Sequence, residues 1–378
     1  MSKWETVRLG DVCTPKQWKT ISTEMLLDTG YPVYGANGKI GFYSQYTHKE
    51  ATVLVTCRGA TCGSITICEP YSYVNGNAMA LDNLSSNVAK EYLALYLKKR
   101  GFFDVISGSA QPQIIRQNIV KVEIPLPPLH VQQKIADILD RANVLIEKRK
   151  AQIEKLDLLV KSQFIEMFGD PVTNPKGWEV SSMGGYLSLL TDFSANGSYE
   201  YLDSNVVMYD EPDFALMVRT TDLEKNDFTN EVKYITENAY NILGKSKLFG
   251  GEIIMNKIGS AGKVYLMPTL GFPASLGRNA FMLKYLESIN PIFMYFLLTS
   301  KYGEREIKQH VRGAVTKTIT KDAVRSIPVI VPPISLQVSF ADFVERVDAQ
   351  KSELKKSLEL LELNYKSLMQ KCFEGEIG

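Results

Sequence analysis

Pro127-Pro128-Leu129-His130-Val131-Gln132-Gln133-Lys134-Ile135-Ala136-Asp137 returns later in the chain as Pro332-Pro333-Ile334-Ser335-Leu336-Gln337-Val338-Ser339-Phe340-Ala341-Asp342. The two stretches anchor a gapless alignment of residues 108–168 on 313–373, at a constant offset of 205 with 15 identities in 61 positions. Ordinary composition gives roughly three or four by chance. Gly108 falls on Gly313, Arg141 on Arg346, Lys161-Ser162 on Lys366-Ser367 and Phe168 on Phe373. Upstream, Lys3-Trp4-Glu5 resembles Gly177-Trp178-Glu179, and Gly76-Asn77-Ala78 resembles Arg278-Asn279-Ala280. Repeats of this kind settle architecture before local propensity does. The chain reads as four segments: 1–128, 129–171, 172–333 and 334–378.

The second and fourth segments have the pattern of long helices. Apolar or seam positions run Val131, Ile135, Ile138, Ala142, Leu145, Arg149, Ile153, Leu156, Val160, Gln163 and Met167 in one copy. In the other they run Leu336, Phe340, Phe343, Val347, Gln350, Leu354, Leu358, Leu361, Tyr365, Leu368 and Cys372. Both follow a heptad spacing with one central stutter. Pro-Pro cannot lie inside a helix and so fixes each start. About 39 residues at 1.5 Å each make a rod of roughly 58 Å. Pairing with each other shields both stripes, and antiparallel pairing is the natural arrangement because the third segment lies between them. Separate amphipathic helices on domain surfaces are the simpler alternative.

The first and third segments read as mixed α/β lobes, so the fold class is α+β. Short β-like runs are Thr52–Thr56, Ser64–Ile67, Gly251–Met255 and Lys263–Leu266. Helical patches follow at Lys90–Arg100 and Pro291–Lys301, and closing strands at Val120–Leu126 and Ser326–Val331 lead into each Pro-Pro. The rods stay alike while the lobes diverge, as in one scaffold carrying two different readers.

Composition narrows the class. Of 378 residues, 45% are apolar and 22% charged, which excludes a disordered or collagen-like chain. No apolar run approaches the roughly 20 residues a bilayer needs, and the first residues lack a signal-peptide pattern, so a cytoplasmic protein with no membrane association is expected. The five cysteines are expected as reduced thiols; with only His48, His130 and His310 beside them, no metal set is complete. Catalytic patterns fail too. Gly259-Ser260-Ala261-Gly262-Lys263 lacks the spacing of a phosphate-binding loop, and Gly35-Ala36-Asn37-Gly38 reads as a turn. Asn290-Pro291-Ile292-Phe293 only superficially matches an adenine-methyltransferase loop and reads as a helix N-cap. No catalytic residue, metal or cofactor is expected.

A net charge of +1 leaves nucleic-acid binding to local patches. Arg305, Lys308, Arg312, Lys317, Lys321 and Arg325 crowd the run before the second closing strand. Arg116 and Lys121 occupy the equivalent place in the first lobe, among Gln111, Gln113 and Gln117. Arginine and glutamine make bidentate base contacts, while lysine usually meets phosphate. The turns Tyr34–Lys39 and Thr56–Gly59 are positioned to enter a groove. The expected DNA contacts are Lys39, Arg58 and Arg116 in the first lobe and Arg219, Arg278, Arg312, Lys317 and Lys321 in the second.

The order of variable lobe, Pro-Pro-x-x-x-Gln helix, variable lobe and second such helix resembles the specificity subunit of type I restriction–modification enzymes. Phe164-Ile165-Glu166-Met167-Phe168-Gly169-Asp170-Pro171 and Val218-Arg219-Thr220-Thr221-Asp222-Leu223 add to the likeness, which covers essentially the whole chain. Val338-Ser339 depart from Gln133-Lys134 in the second copy. The resemblance implies two pseudo-twofold-related target-recognition domains separated by an antiparallel coiled coil. Each domain would read half of a bipartite, asymmetric site in double-stranded DNA, with the helices setting the gap. It implies two adenine-methylating modification subunits and ATP-dependent restriction subunits as partners, which hold the chemistry. Gln132, Arg141, Gln337 and Arg346 are the expected partner contacts. A combined restriction–modification enzyme could use the same fold. The contrasting class is a scaffold with no DNA role, its two lobes binding protein or carbohydrate around a stalk.

Overall fold

The computed structural model describes residues 4–108 and 111–377; Lys3 of the Lys3-Trp4-Glu5 opening lies outside them. Two compact units are present: residues 1–152 with 354–378, and residues 153–353. The division falls inside both long helices, Leu129–Phe168 and Ile334–Glu374.

In the first unit, the start of the first long helix packs on the end of the second. Val131, Ile135 and Leu139 share a core with Cys372, Phe373, Tyr365 and Leu368, joined by Tyr92 of the lobe. The rings of Tyr92 and Phe373 lie 5.4 Å apart. In the second unit, the end of the first helix meets the start of the second: Val160, Phe164 and Phe168 pack with Phe340, Val344 and Val347. Phe340 lies edge-on to both Phe164 and Phe168 at 5.5 Å. Both contacts are start-to-end, so the helices run antiparallel. Lys150–Glu362 in the first unit (3.4 Å) and Lys351–Asp157 in the second add exposed ion pairs.

The seam of the first helix corrects the heptad reading. Leu139 and Ile146 are buried, whereas Ile138 is half-buried and Leu145 is 54% exposed. A helix of 3.6 residues per turn drifts about 20° per heptad, and its first turns also face the lobe, which draws Gln132, Ala136 and Leu139 inward.

Each lobe is tied to its helix by a two-stranded clamp: Thr6–Arg8 with Glu123–Pro125, and Glu179–Ser182 with Pro328–Val331. A four-stranded antiparallel sheet follows in each. Its order in the first lobe is Thr14–Gln17, Ala78–Asp82, Val53–Thr56, Ile65–Ile67. In the second lobe it is Leu187–Asp192, Ala280–Tyr285, Ile253–Asn256, Val264–Leu266. A second sheet holds one parallel pair in each lobe, Tyr31–Gly35 with Tyr73–Val74 and Ala215–Val218 with Ala274–Leu276. The extra length of the second lobe forms helices Tyr199–Asn205, Thr220–Lys225 and Glu237–Ile242.

The sequence-expected helical patch Lys90–Arg100 is a helix as bounded. Its counterpart is two helices, Pro291–Leu298 and Lys301–His310, because the Ser300 hydroxyl accepts the Gly303 N–H and starts a new one. Asn290 caps the first of these, accepting from Ile292 and Phe293 N–H, with Pro291 in the first turn. The first closing strand spans Glu123–Pro125, shorter than expected, because Val120 and Lys121 form the turn that leads out of helix Arg116–Ile119.

Gln132 and Gln337 correct the partner-contact expectation. Both are wholly buried. Gln132 donates to Asn87 O and Pro127 O, each at 2.8 Å, and accepts from Ala89 N–H at 2.8 Å. Gln337 donates to Ser288 O (3.3 Å) and Pro332 O (2.8 Å) and accepts from Asn290 N–H (2.9 Å). One amide thus joins the closing strand, the helix start and the cap of the next lobe helix. A carboxylate lacks the N–H donors this needs.

Candidate nucleic-acid interface

The strand ending at Thr56 emerges into Cys57-Arg58-Gly59, and this loop gathers three others around it. Cys57 N–H donates to Asn77 O (3.0 Å), Gly59 N–H to Pro112 O (3.2 Å), and Ile114 N–H to Cys57 O (3.0 Å). The hairpin tip joins through hydroxyls: Thr56 Oγ1 and Thr61 Oγ1 donate to Ala36 O at 2.9 and 3.0 Å. Four segments far apart in sequence therefore form one polar edge, comprising Asn37, Arg58, Gln113 and the helix start at Arg116. Arg58 and Arg116 are exposed and make no ion pair among the described residues. Lys39 lies 3.4 Å from Glu69 and stacks over Phe42, so its charge is partly offset.

The second lobe repeats the frame. Lys257 N–H donates to Asn279 O (2.8 Å), Gly259 N–H to Lys317 O (3.0 Å), and Ile319 N–H to Lys257 O (3.0 Å). Gly59 and Gly259 both take positive φ, +92° and +79°, with open space where a side chain would be. Gly108 and Gly313 also take positive φ, and a Cβ on either would collide with a backbone oxygen at position 111 or 316. These four positions are glycine for the same local reason in both copies.

Of the cations expected in the second lobe, Arg312 and Lys317 are exposed on the hairpin in which Arg312 and Thr318 exchange two 2.8 Å backbone bonds. Three others are engaged internally. Arg219 makes bonds to Asp222 of 3.2 Å (Nε) and 2.7 Å (Nη2) and another to Glu231 O, and Asp222 is buried. Arg278 pairs with Asp203 and lies over Phe193. The Lys321 ammonium lies 2.9 Å from the buried Asp192 carboxylate, which also takes Lys257 at 2.8 Å. Burial opposes ionisation of Asp192, but the two ammoniums and the Ser194 hydroxyl outweigh it and hold its carboxyl below the usual range. Lys321 is thus part of the support beneath the loop.

Sequence reasoning missed Asp192 and Lys257, which belong to no motif and lie 65 residues apart. Strand register places Gln17 in the first lobe where Asp192 stands in the second. Gln17 donates to Cys57 Sγ (3.0 Å) and Gly76 O (3.1 Å), so one loop rests on a neutral support and the other on an ionic one. Burial raises the thiols of Cys57 and Cys62 above their ordinary values, consistent with structural thiols. Among the described residues no cluster of His, Cys, Asp and Glu is suited to a metal, and no helix is long and apolar enough to cross a membrane.

A family model for the type I restriction modification DNA specificity domain matches residues 1–155 and 175–364. The type I restriction enzyme MjaVIII specificity subunit of Methanocaldococcus jannaschii is 24% identical over 403 residues, covering 99% of this chain and 93% of its own length. The MjaIX specificity subunit of the same organism is 26% identical over 352 residues, covering 87% and 78%. The type I restriction–modification S subunit of M. genitalium shares the fold, with a TM-score of 0.62 at 15% identity over 98% of this chain and 96% of that one. The chain belongs to the type I restriction modification DNA specificity family.

Proposed function

We propose that this chain is the non-catalytic DNA-reading subunit of a type I restriction–modification complex, each lobe reading one half of a bipartite, asymmetric site in double-stranded DNA. The observation that carries this reading is the duplicated loop frame: identical backbone bonds at equivalent places, bearing different side chains. Two unlike readers on one scaffold recognise two unlike half-sites, and the paired helices set the unread gap between them. Near-neutral net charge fits a reader whose phosphate contacts come largely from partner subunits.

The partners are two adenine-methylating modification subunits, which dock on the helices, and ATP-dependent restriction subunits. Methyl transfer, ATP hydrolysis and cleavage belong to them. Support for docking lies in apolar side chains left uncovered on the helices: Leu145, Leu360 and Leu363 in the first unit, Leu158 and Leu159 in the second. Arg141 and Arg346 are exposed on the same helices. The scaffold reading without DNA is not favoured by the family.

Single-molecule sequencing of adenine methylation tests the proposal, in cells carrying a type I modification subunit with and without this chain. A bipartite methylated motif that appears only with the chain supports the function. Assembly with an active modification subunit but no motif overturns it.

A further inference from the structure

The bonds Gly59 N–H to Pro112 O and Ile114 N–H to Cys57 O flank Arg58 and Gln113, which oppose each other in an isolated antiparallel bridge. Such a non-hydrogen-bonded pair has its Cα atoms only about 4.5 Å apart, and both side chains leave the same face. Ile258 and Thr318 form the same bridge in the second lobe, flanked by the same bonds. Beside each pair, Gly59 or Gly259 leaves open space that lets a ligand surface approach the backbone.

We infer that Arg58 and Gln113 are the base-reading pair of the first lobe, and that Ile258 and Thr318 hold the same two posts in the second. The inference rests on the DNA-reading function proposed above and names where the reading is done. Lys39, Arg219, Arg278 and Lys321 are committed to carboxylates, whereas Arg58 has none within ion-pair distance among the described residues. A guanidinium left exposed beside a carboxamide is suited to bidentate contact with guanine O6/N7 and adenine N6/N7 in a major groove. The second pair offers a partly exposed isoleucine and a threonine, whose methyl groups suit the thymine C5-methyl. The first half-site therefore contains purines read by bidentate hydrogen bonds, and the second contains thymine read by apolar contact.

The backbone frame explains how the side chains can differ without loss of geometry. Every flanking bond is made by main-chain groups, so exchanging the four side chains leaves the bridge intact. Specificity then varies at positions the fold does not require.

The test uses the full chain assembled with its modification subunit. Adenine methylation is mapped for the wild type, Arg58→Lys, the double variant Arg58→Ile with Gln113→Thr, and the reciprocal Ile258→Arg with Thr318→Gln. Arg58→Lys keeps the charge but exchanges the planar two-donor fork for a point ammonium, so methylation of the wild-type site falls about 5- to 150-fold and one position of one half relaxes. The double variants change bases in one half only, each in a different half, with the gap unchanged. If the wild type yields no bipartite motif, the proposed function fails. If the wild type yields one but Arg58→Lys leaves every base preference intact, the assignment of the reading pair fails. Should the charge-removing Arg58→Ile, Gln113→Thr variant instead weaken binding uniformly across all sequences with a shallower salt dependence, Arg58 is a phosphate contact and the assignment is also overturned. Thermal melting of each variant monitors folding, and Arg58→Lys decides alone should a double variant unfold.

Discussion

Replacing Asp192 with alanine removes the acceptor shared by two ammonium groups. Lys257 keeps only 13% of its side chain exposed, so its charge is left buried and unpaired. Deleting one partner of a buried ion pair costs about 3–5 kcal/mol. Lys321, one-third exposed, turns into solvent and adds little. For a unit of this size each kcal/mol lowers Tm by about 2–4 °C, so the expected drop is about 6–20 °C. Calorimetry on the full chain reads it. Adding Lys257→Met to Asp192→Ala removes the stranded charge and recovers most of the loss. A drop below about 1 kcal/mol, or a double variant no better than the single one, refutes the ionic support.

The same carboxylate gives a pH dependence of defined sign. Its folded value lies below the ordinary one, despite the opposing effect of burial, because Lys257, Lys321 and Ser194 stabilise the anion. The unfolded state therefore binds the proton more tightly, and the stabilisation is fully present above the unfolded value of about 4. It is lost as pH falls through the depressed folded value. Asp192→Asn removes this component of the acid loss in the second unit while keeping the side-chain shape.

Two further outcomes follow from the same geometry. Gln337→Leu strands Asn290 N–H and the carbonyls of Ser288 and Pro332, costing about 2–4 kcal/mol in the second unit, and Gln132→Leu does the same in the first; denaturant titration checks both. Inserting four residues into both long helices, at 152/153 and 353/354, adds about 6 Å, so the methylated motif gains about two base pairs of gap while both halves keep their bases; changed half-sites would refute the spacer role.

The long helices were legible because their signals are local and repeated. Pro-Pro fixes each start, the seam is apolar except at Arg149 and Gln163 in one copy and Gln350 in the other, and the same spacing occurs twice. Asn290 was legible as a cap for the same reason. Midway along the first helix the seam was read one position off, at Ile138 and Leu145, because periodicity says nothing about the lobe, whose Tyr92 shares a core with Leu139. Gln132 and Gln337 stood out as a repeated motif, but the motif alone does not distinguish a residue facing a partner from one buried in its own fold. Only the three carbonyls and N–H groups around each amide decide that. The pairing of Lys321 with Asp192 was not legible because Asp192 lies 129 residues earlier in an unremarked strand. Arg58, Gln113 and the Ala36–Lys39 tip lie on separate segments, and their assembly into one edge depends on long-range backbone bonds that no spacing rule contains.

The contrast between the two supports bears on how such lobes diverge. Both loops are shaped by the same main-chain bonds, which place no demand on the side chains above them. The layer below is different. In the first lobe Gln17 meets the Cys57 thiol, and in the second Asp192 meets Lys257 and Lys321. A cysteine at position 257 would leave Asp192 with one ammonium, and a lysine at position 57 would bury a charge beside a neutral amide. Each of those single changes costs stability, because a buried charge without its counter-charge is penalised far more than a neutral pair. Supports therefore change only as sets, whereas exposed pairs such as Arg58–Gln113 and Ile258–Thr318 change freely. The coupled layer beneath keeps the loop in place when the exposed pair above it changes.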